Sequence, residues 1–125
     1  MPYRQRLIIE CFKCKKNMES AGFAHTFLVK LTKALDMKLL VPPVVLSVPV
    51  PSPAPSLKTN DAGVTGFVIW MESGTQIHTW PRIGLVTLDI YSCKKFGQSI
   101  ALDMARKAFA PQHVDFLAPD LGGGT

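Results

Sequence analysis

At 125 residues, 47% hydrophobic and 18% charged, the chain has the apolar content for one domain with its own core and too little length for a second. The formal charge of +5 is modest, and its lysines are scattered without an aromatic-interleaved basic stripe, so nucleic acid is not the expected partner. Apolar runs are short and broken by prolines, and "MPYRQR" leads into no signal-type stretch. The expectation is a soluble cytoplasmic protein with no membrane contact, whose three cysteines, an odd number, form no disulfide framework.

In chain order, "RLIIECF" reads as a strand that is apolar on both sides and therefore central. "GFAHTFLVKLTKALDMK" places Phe23, Phe27, Leu28, Leu31 and Leu35 on one stripe, with Lys30, Thr32, Lys33 and Asp36 opposite, the pattern of an amphipathic helix. "LLVPPVVLSVPVPSPAPSLKTNDAG" is rich in β-branched residues, but its prolines donate to no ladder. It reads as an edge strand dissolving into a Pro/Ser-rich loop.

"VTGFVIWME" and "GLVTLDIYSC" are two further strands. Their connection of about ten residues is long for a hairpin and marks a candidate functional loop. "GQSIALDMARKAF" predicts a second helix with Ile100, Ala101, Met104, Ala105 and Ala108 on one side and Asp103, Arg106 and Lys107 on the other. "QHVDFL" is a last short strand, and "GGGT" a disordered tail. The order predicts an α+β two-layer sandwich, an antiparallel sheet with two helices on one face.

The chemistry concentrates in "MESGTQIHTWP". Strand alternation sends Thr65, Phe67, Ile69, Met71 and Ser73 to one side and Val64, Val68, Trp70 and Glu72 to the other, leaving Ser73 at the strand's exit. A serine with a histidine five residues on suggests a hydrolase pair, yet no G-x-S-x-G elbow or third partner accompanies it. Cys11 and Cys14 form a C-x-x-C, which serves redox or zinc chemistry in other settings; with no second pair, packing is expected and no metal. Trp80 reads equally as a loop anchor or a pocket wall.

"ESGTQIHTWP" followed by "LDIYSC", with "LIIECFKC" near the start, resembles the processing and catalytic segments of prokaryotic S-adenosylmethionine decarboxylases. The resemblance implies a pyruvoyl cofactor that the chain makes from Ser73. The Ser73 hydroxyl attacks the Glu72 carbonyl, the peptide becomes an ester, and β-elimination splits the chain into a β chain of residues 1–72 and a pyruvoyl-capped α chain of 73–125. The chemical need is an electron sink: decarboxylation leaves electrons on Cα, and a ketone that joins the substrate amine accepts them where ordinary side chains cannot. By the same resemblance His78 shuttles protons during processing, Cys93 returns a proton to Cα, and Thr65 stands where the family has an assisting serine.

Several positions depart from the family pattern. Thr59 or a neighbour occupies the place of an adenine-stacking phenylalanine, Gly74 that of a histidine, and Arg82 that of a glutamate that holds ribose hydroxyls. A guanidinium carries donors only and suits a carboxylate or another anion better. The substrate-binding candidates are Glu10, set with aromatic faces against a sulfonium, together with Trp80 and Arg82. The resulting expectation is decarboxylation of S-adenosylmethionine for polyamine biosynthesis by a homodimer of processed protomers. The alternatives are the same chemistry on arginine or ornithine, and a non-catalytic paralogue that keeps only the scaffold.

Overall fold

The computed structural model describes residues 3–48 and 63–122. Side-chain alternation sets up its layers. In β1 (Arg4–Phe12), Gln5, Leu7, Ile9 and Cys11 are buried on one side while Arg6, Ile8 and Glu10 turn to the other. Helix α1 (Ala21–Ala34) starts where the Ser20 hydroxyl accepts the Phe23 N–H at 3.0 Å, and it buries Phe27, Leu28 and Leu31 against the sheet. Each such burial stabilises by about 1.5–3 kcal/mol.

Four strands follow: β2 (Leu39–Val48), β3 (Gly63–Trp70), β4 (Ser73–Trp80) and, after a single 3-10 turn at Pro81–Ile83, β5 (Leu85–Ser92). Helix α2 (Gln98–Phe109) then leads to the short strands β6 (His113–Leu117) and β7 (Asp120–Leu121). The seven strands form one antiparallel sheet in the order β2-β3-β4-β5-β1-β6, with β7 beside the start of β1. Both helices cover the face that carries Leu7, Ile9, Val68, Trp70, Ile77, Leu88 and Ile90, and Phe109 of α2 packs edge-on to Phe23 and tilted to Phe27. This is the expected α+β two-layer sandwich. The other face is left open.

β1 is central as read, between β5 and β6, and β2 is an edge strand whose pairing with β3 shifts around Pro42 and Pro43. The Pro/Ser-rich segment beyond it, with Thr59, and the last three residues of the tail lie outside the described residues. Four expectations are corrected. The supposed functional loop is largely strand β4, because β3 ends at Trp70 and reverses through Met71 and Glu72 alone. Ser73 therefore opens a new strand and does not continue the alternation of β3.

Thr32, expected on the polar side of α1, is buried: its hydroxyl donates to Leu28 O at 2.7 Å and accepts the Trp70 indole N–H at 2.8 Å. In α2, Leu102 takes a core position and Ile100 is 44% exposed, a rotation of the apolar stripe from the one read off the sequence. The Trp70–Thr32 bond links the core indole to α1, and removing its acceptor leaves a buried donor unmade. Thr32→Val is expected to lower stability by about 1–3 kcal/mol. Urea denaturation with an unchanged slope checks it.

Candidate active site

Two groups of predicted residues come together, and they are separate groups. The first is at the β3–β4 hairpin. Glu72 takes a left-handed conformation, φ 62°, which costs a non-glycine residue of this kind about 1 kcal/mol or more. Cys93, just past the end of β5, lies beside it: its thiol donates to the Glu72 carbonyl oxygen at 3.0 Å, and its backbone N–H donates to Ser73 Oγ at 3.1 Å. The Glu72–Ser73 peptide thus has a thiol donor on its carbonyl and a serine oxygen held at its other end.

Two backbone-directed contacts hold this corner. Met71 N–H donates to Lys38 O at 2.9 Å, and Lys94 Nζ reaches Asp36 O at 2.6 Å, tying hairpin and β5 exit to the segment after α1. A cleft of about 350 Å³ opens there, bordered by Met37, Lys38, Glu72, Ser73, Cys93 and Lys94.

The second group sits on the open face. Strand register sets Glu10, Thr87, His78 and Thr65 in one row across β1, β5, β4 and β3. His78 Nδ1 is 3.0 Å from Thr65 Oγ1 and its Nε2 is 3.3 Å from Gln76 Oε1, while the Trp80 ring lies tilted at 6.0 Å. A groove of about 680 Å³ runs from Thr65 and His78 past Phe67, Gln76 and Tyr91 to Ser73. Asp89 and Arg6 border it as a bidentate pair, Arg6 Nε donating at 2.9 Å and Nη2 at 2.6 Å.

Within one chain, His78 does not meet Ser73. Five residues along β4 at about 3.3 Å each separate them by roughly 16 Å, toward opposite ends of one groove. Glu10 shares the His78 row two strands away, at the edge of a second hollow with Asp115 and Phe116. Trp80 is a wall neighbour of His78, and Arg82 is exposed in the 3-10 turn beyond it, farther still from Ser73. Gly74 explains one departure: an added Cβ would lie 2.8 Å from Val68 O, so a side chain there requires β3 and β4 to move apart.

Arg6, Gln76, Asp89 and Tyr91 were not among the candidates read from the sequence. Their signal was present, since Val86, Leu88 and Ile90 define the core side of β5 and leave Asp89 and Tyr91 on the other.

A family model described as S-adenosylmethionine decarboxylase matches residues 5–119. The chain belongs to the S-adenosylmethionine decarboxylase family. Relatives named S-adenosylmethionine decarboxylase proenzyme include one from Archaeoglobus fulgidus, 48% identical over 50 residues, 40% of this chain and 42% of that protein. One from Picrophilus torridus is 39% identical over 61 residues, 48% of this chain and 47% of that protein, and one from Clostridium botulinum is 30% identical over 90 residues, 71% and 67%. The first of these matches therefore span about half the length of the relatives or less. The adenosylmethionine decarboxylase of Aquifex aeolicus shares the fold at a TM-score of 0.77 and 19% identity, over 99% of this chain and 94% of its own.

Among the described residues no helix is long and apolar enough to cross a membrane, and no cluster of three metal-ligating side chains occurs. Cys11 and Cys14 are packed in the core, where burial pushes the Cys11 thiol up to about 12 and raises that of Cys14. A thiol with a raised pKa stays protonated below that value and is a poor nucleophile. At pH 8, iodoacetamide is accordingly expected to modify the half-buried Cys93 on the native chain and spare Cys11 and Cys14 until the protein is denatured, as read by peptide mass mapping.

Proposed function

We propose that the chain is a self-cleaving, pyruvoyl-dependent S-adenosylmethionine decarboxylase. The observation that carries this reading is the Cys93 thiol on the Glu72 carbonyl, with Ser73 held alongside on a left-handed Glu72. As Ser73 Oγ adds to the Glu72 carbon, negative charge grows on the oxygen that the thiol already faces, and that charge-assisted bond strengthens. Cleavage of the C–N bond yields an ester and frees the Ser73 amine. Loss of the Ser73 Cα proton then expels the Glu72 carboxylate and leaves dehydroalanine at residue 73, whose imine tautomer takes up water and releases ammonia to leave the keto group.

The donor set fits that group. Ser73 is its source, the hairpin places it at a groove mouth, and once formed it supplies an electron sink for an amino-acid substrate. His78, with Thr65 against its Nδ1, is the proton acceptor for elimination, and Cys93 is the group that gives a proton back to substrate carbon after carbon dioxide leaves.

Because His78 and Ser73 are about 16 Å apart in one chain, the active form is proposed to be a homodimer in which the open faces meet. That face carries Phe67, Ile69 and Tyr91, each more than a third exposed, an apolar surface that a second copy covers. The partner's His78 and Thr65 then serve Ser73. Arg82, a donor where the family uses an acceptor, favours a second reading in which the same chemistry acts on arginine or ornithine.

Ser73→Ala is expected to abolish cleavage. Cys93→Ala is expected to slow it by roughly tenfold or more through loss of the donor on Glu72, in addition to slowing decarboxylation. Denaturing gels of aged protein measure the first effect and carbon dioxide release the second. Release from S-adenosylmethionine alone supports the leading reading; release only from arginine or ornithine selects the other. Mixing refolded Ser73→Ala and His78→Ala chains should restore cleavage of the His78→Ala chain, and failure to do so would count against the shared site.

A further inference from the structure

We propose that Gln76 is a positioning residue that holds His78 as the Nε2–H tautomer, making Nδ1, which faces the Thr65 hydroxyl, the nitrogen that takes up a proton. The inference rests on the proposed role of His78 and goes beyond it in assigning the working nitrogen. His78 is gripped at both ring nitrogens, with Gln76 Oε1 at 3.3 Å from Nε2 and Thr65 Oγ1 at 3.0 Å from Nδ1. A carbonyl oxygen only accepts, so the nitrogen facing it carries the hydrogen. A neutral imidazole has one N–H, which leaves Nδ1 bare and accepting from the Thr65 O–H.

The amide's orientation has a cause elsewhere on the face. Gln76 is the direct cross-strand partner of Asp89, and both side chains line the same groove. The Asp89 carboxylate also accepts only, and it is fixed by two bonds from Arg6. Its charge favours turning the amide NH2 of Gln76 toward β5, which leaves the carbonyl end for the imidazole. The charged groups on this face near His78 are Asp89, its partner Arg6, and Glu10, while its direct cross-strand neighbours Thr65 and Thr87 are neutral.

The consequence is a defined route. A proton leaving the reacting residue passes to the Thr65 hydroxyl as that hydroxyl gives its own to Nδ1. When the ring becomes cationic, the Nε2–H bond to Gln76 persists and strengthens. A hydrophobic or donating residue at 76 lacks this hold.

Long-range proton–nitrogen spectra of uniformly 15N-labelled protein at about pH 9, where an imidazole is neutral, read the tautomer directly. His78 signals are assigned by their loss in His78→Gln. The native chain and the uncleaved Ser73→Ala chain are expected to show a protonated Nε2 and a bare Nδ1. Gln76→Glu, which keeps an acceptor, should retain that tautomer and cleave within about threefold of the native rate, whereas Gln76→Lys, donors only, should reverse it and slow cleavage by at least about tenfold. A native Nδ1–H, or an unchanged tautomer in Gln76→Lys, would overturn the proposal. Since the Ser73→Ala spectrum needs no cleavage, a wrong tautomer counts against this inference and an uncut native chain against the proposed function.

Discussion

The two-residue reversal at Met71 and Glu72 is the constraint on which the rest of the site depends. It pairs Trp70 with Ser73, and through that register Thr65 with His78 and Gly74 with Tyr91. A slip of one residue would carry every side chain of β4 to the wrong face, taking His78 off Thr65 and Ser73 away from Cys93. The same reversal forces Glu72 into the left-handed region. The residue under backbone strain is thus the one whose carbonyl bears the thiol contact, an arrangement that supports the proposed cleavage.

Register is defended from the core side. Trp70 is anchored to α1 through Thr32, Thr79 of β4 donates to Met18 O at 2.6 Å and accepts Val64 N–H at 2.8 Å, and Ile77 is fully buried. One face of the sheet therefore holds the strands in place while the other displays polar groups in rows. That division lets the open face carry Arg6, Asp89, Gln76, His78 and Thr65 side by side without disturbing the core.

Much of this was legible in the sequence. The two helices and the strands β1, β2, β3, β5 and β6 follow from apolar period and proline content, and the spacing of Ser73, His78 and Cys93 pointed to the family. β4 was hidden because Thr75 and Thr79 occupy two of its core positions, so polar side chains alternate with polar side chains and no apolar stripe appears. Thr32 was misplaced for a related reason: a hydroxyl that bonds back to Leu28 O and to an indole can sit in a core, and no periodicity reveals the indole. The separation of His78 from Ser73 was beyond a linear motif. Five residues look close in a loop and are far apart in a strand.

The proposal on which the functional reading turns is cleavage of the chain between Glu72 and Ser73, supported by the Cys93 thiol on the Glu72 carbonyl. An intact-mass spectrum of folded, aged protein under denaturing conditions tests it most directly. The account predicts two fragments divided between Glu72 and Ser73, the second lacking a free amine at its start. A single uncut chain, or a second fragment beginning with an ordinary serine, would contradict it.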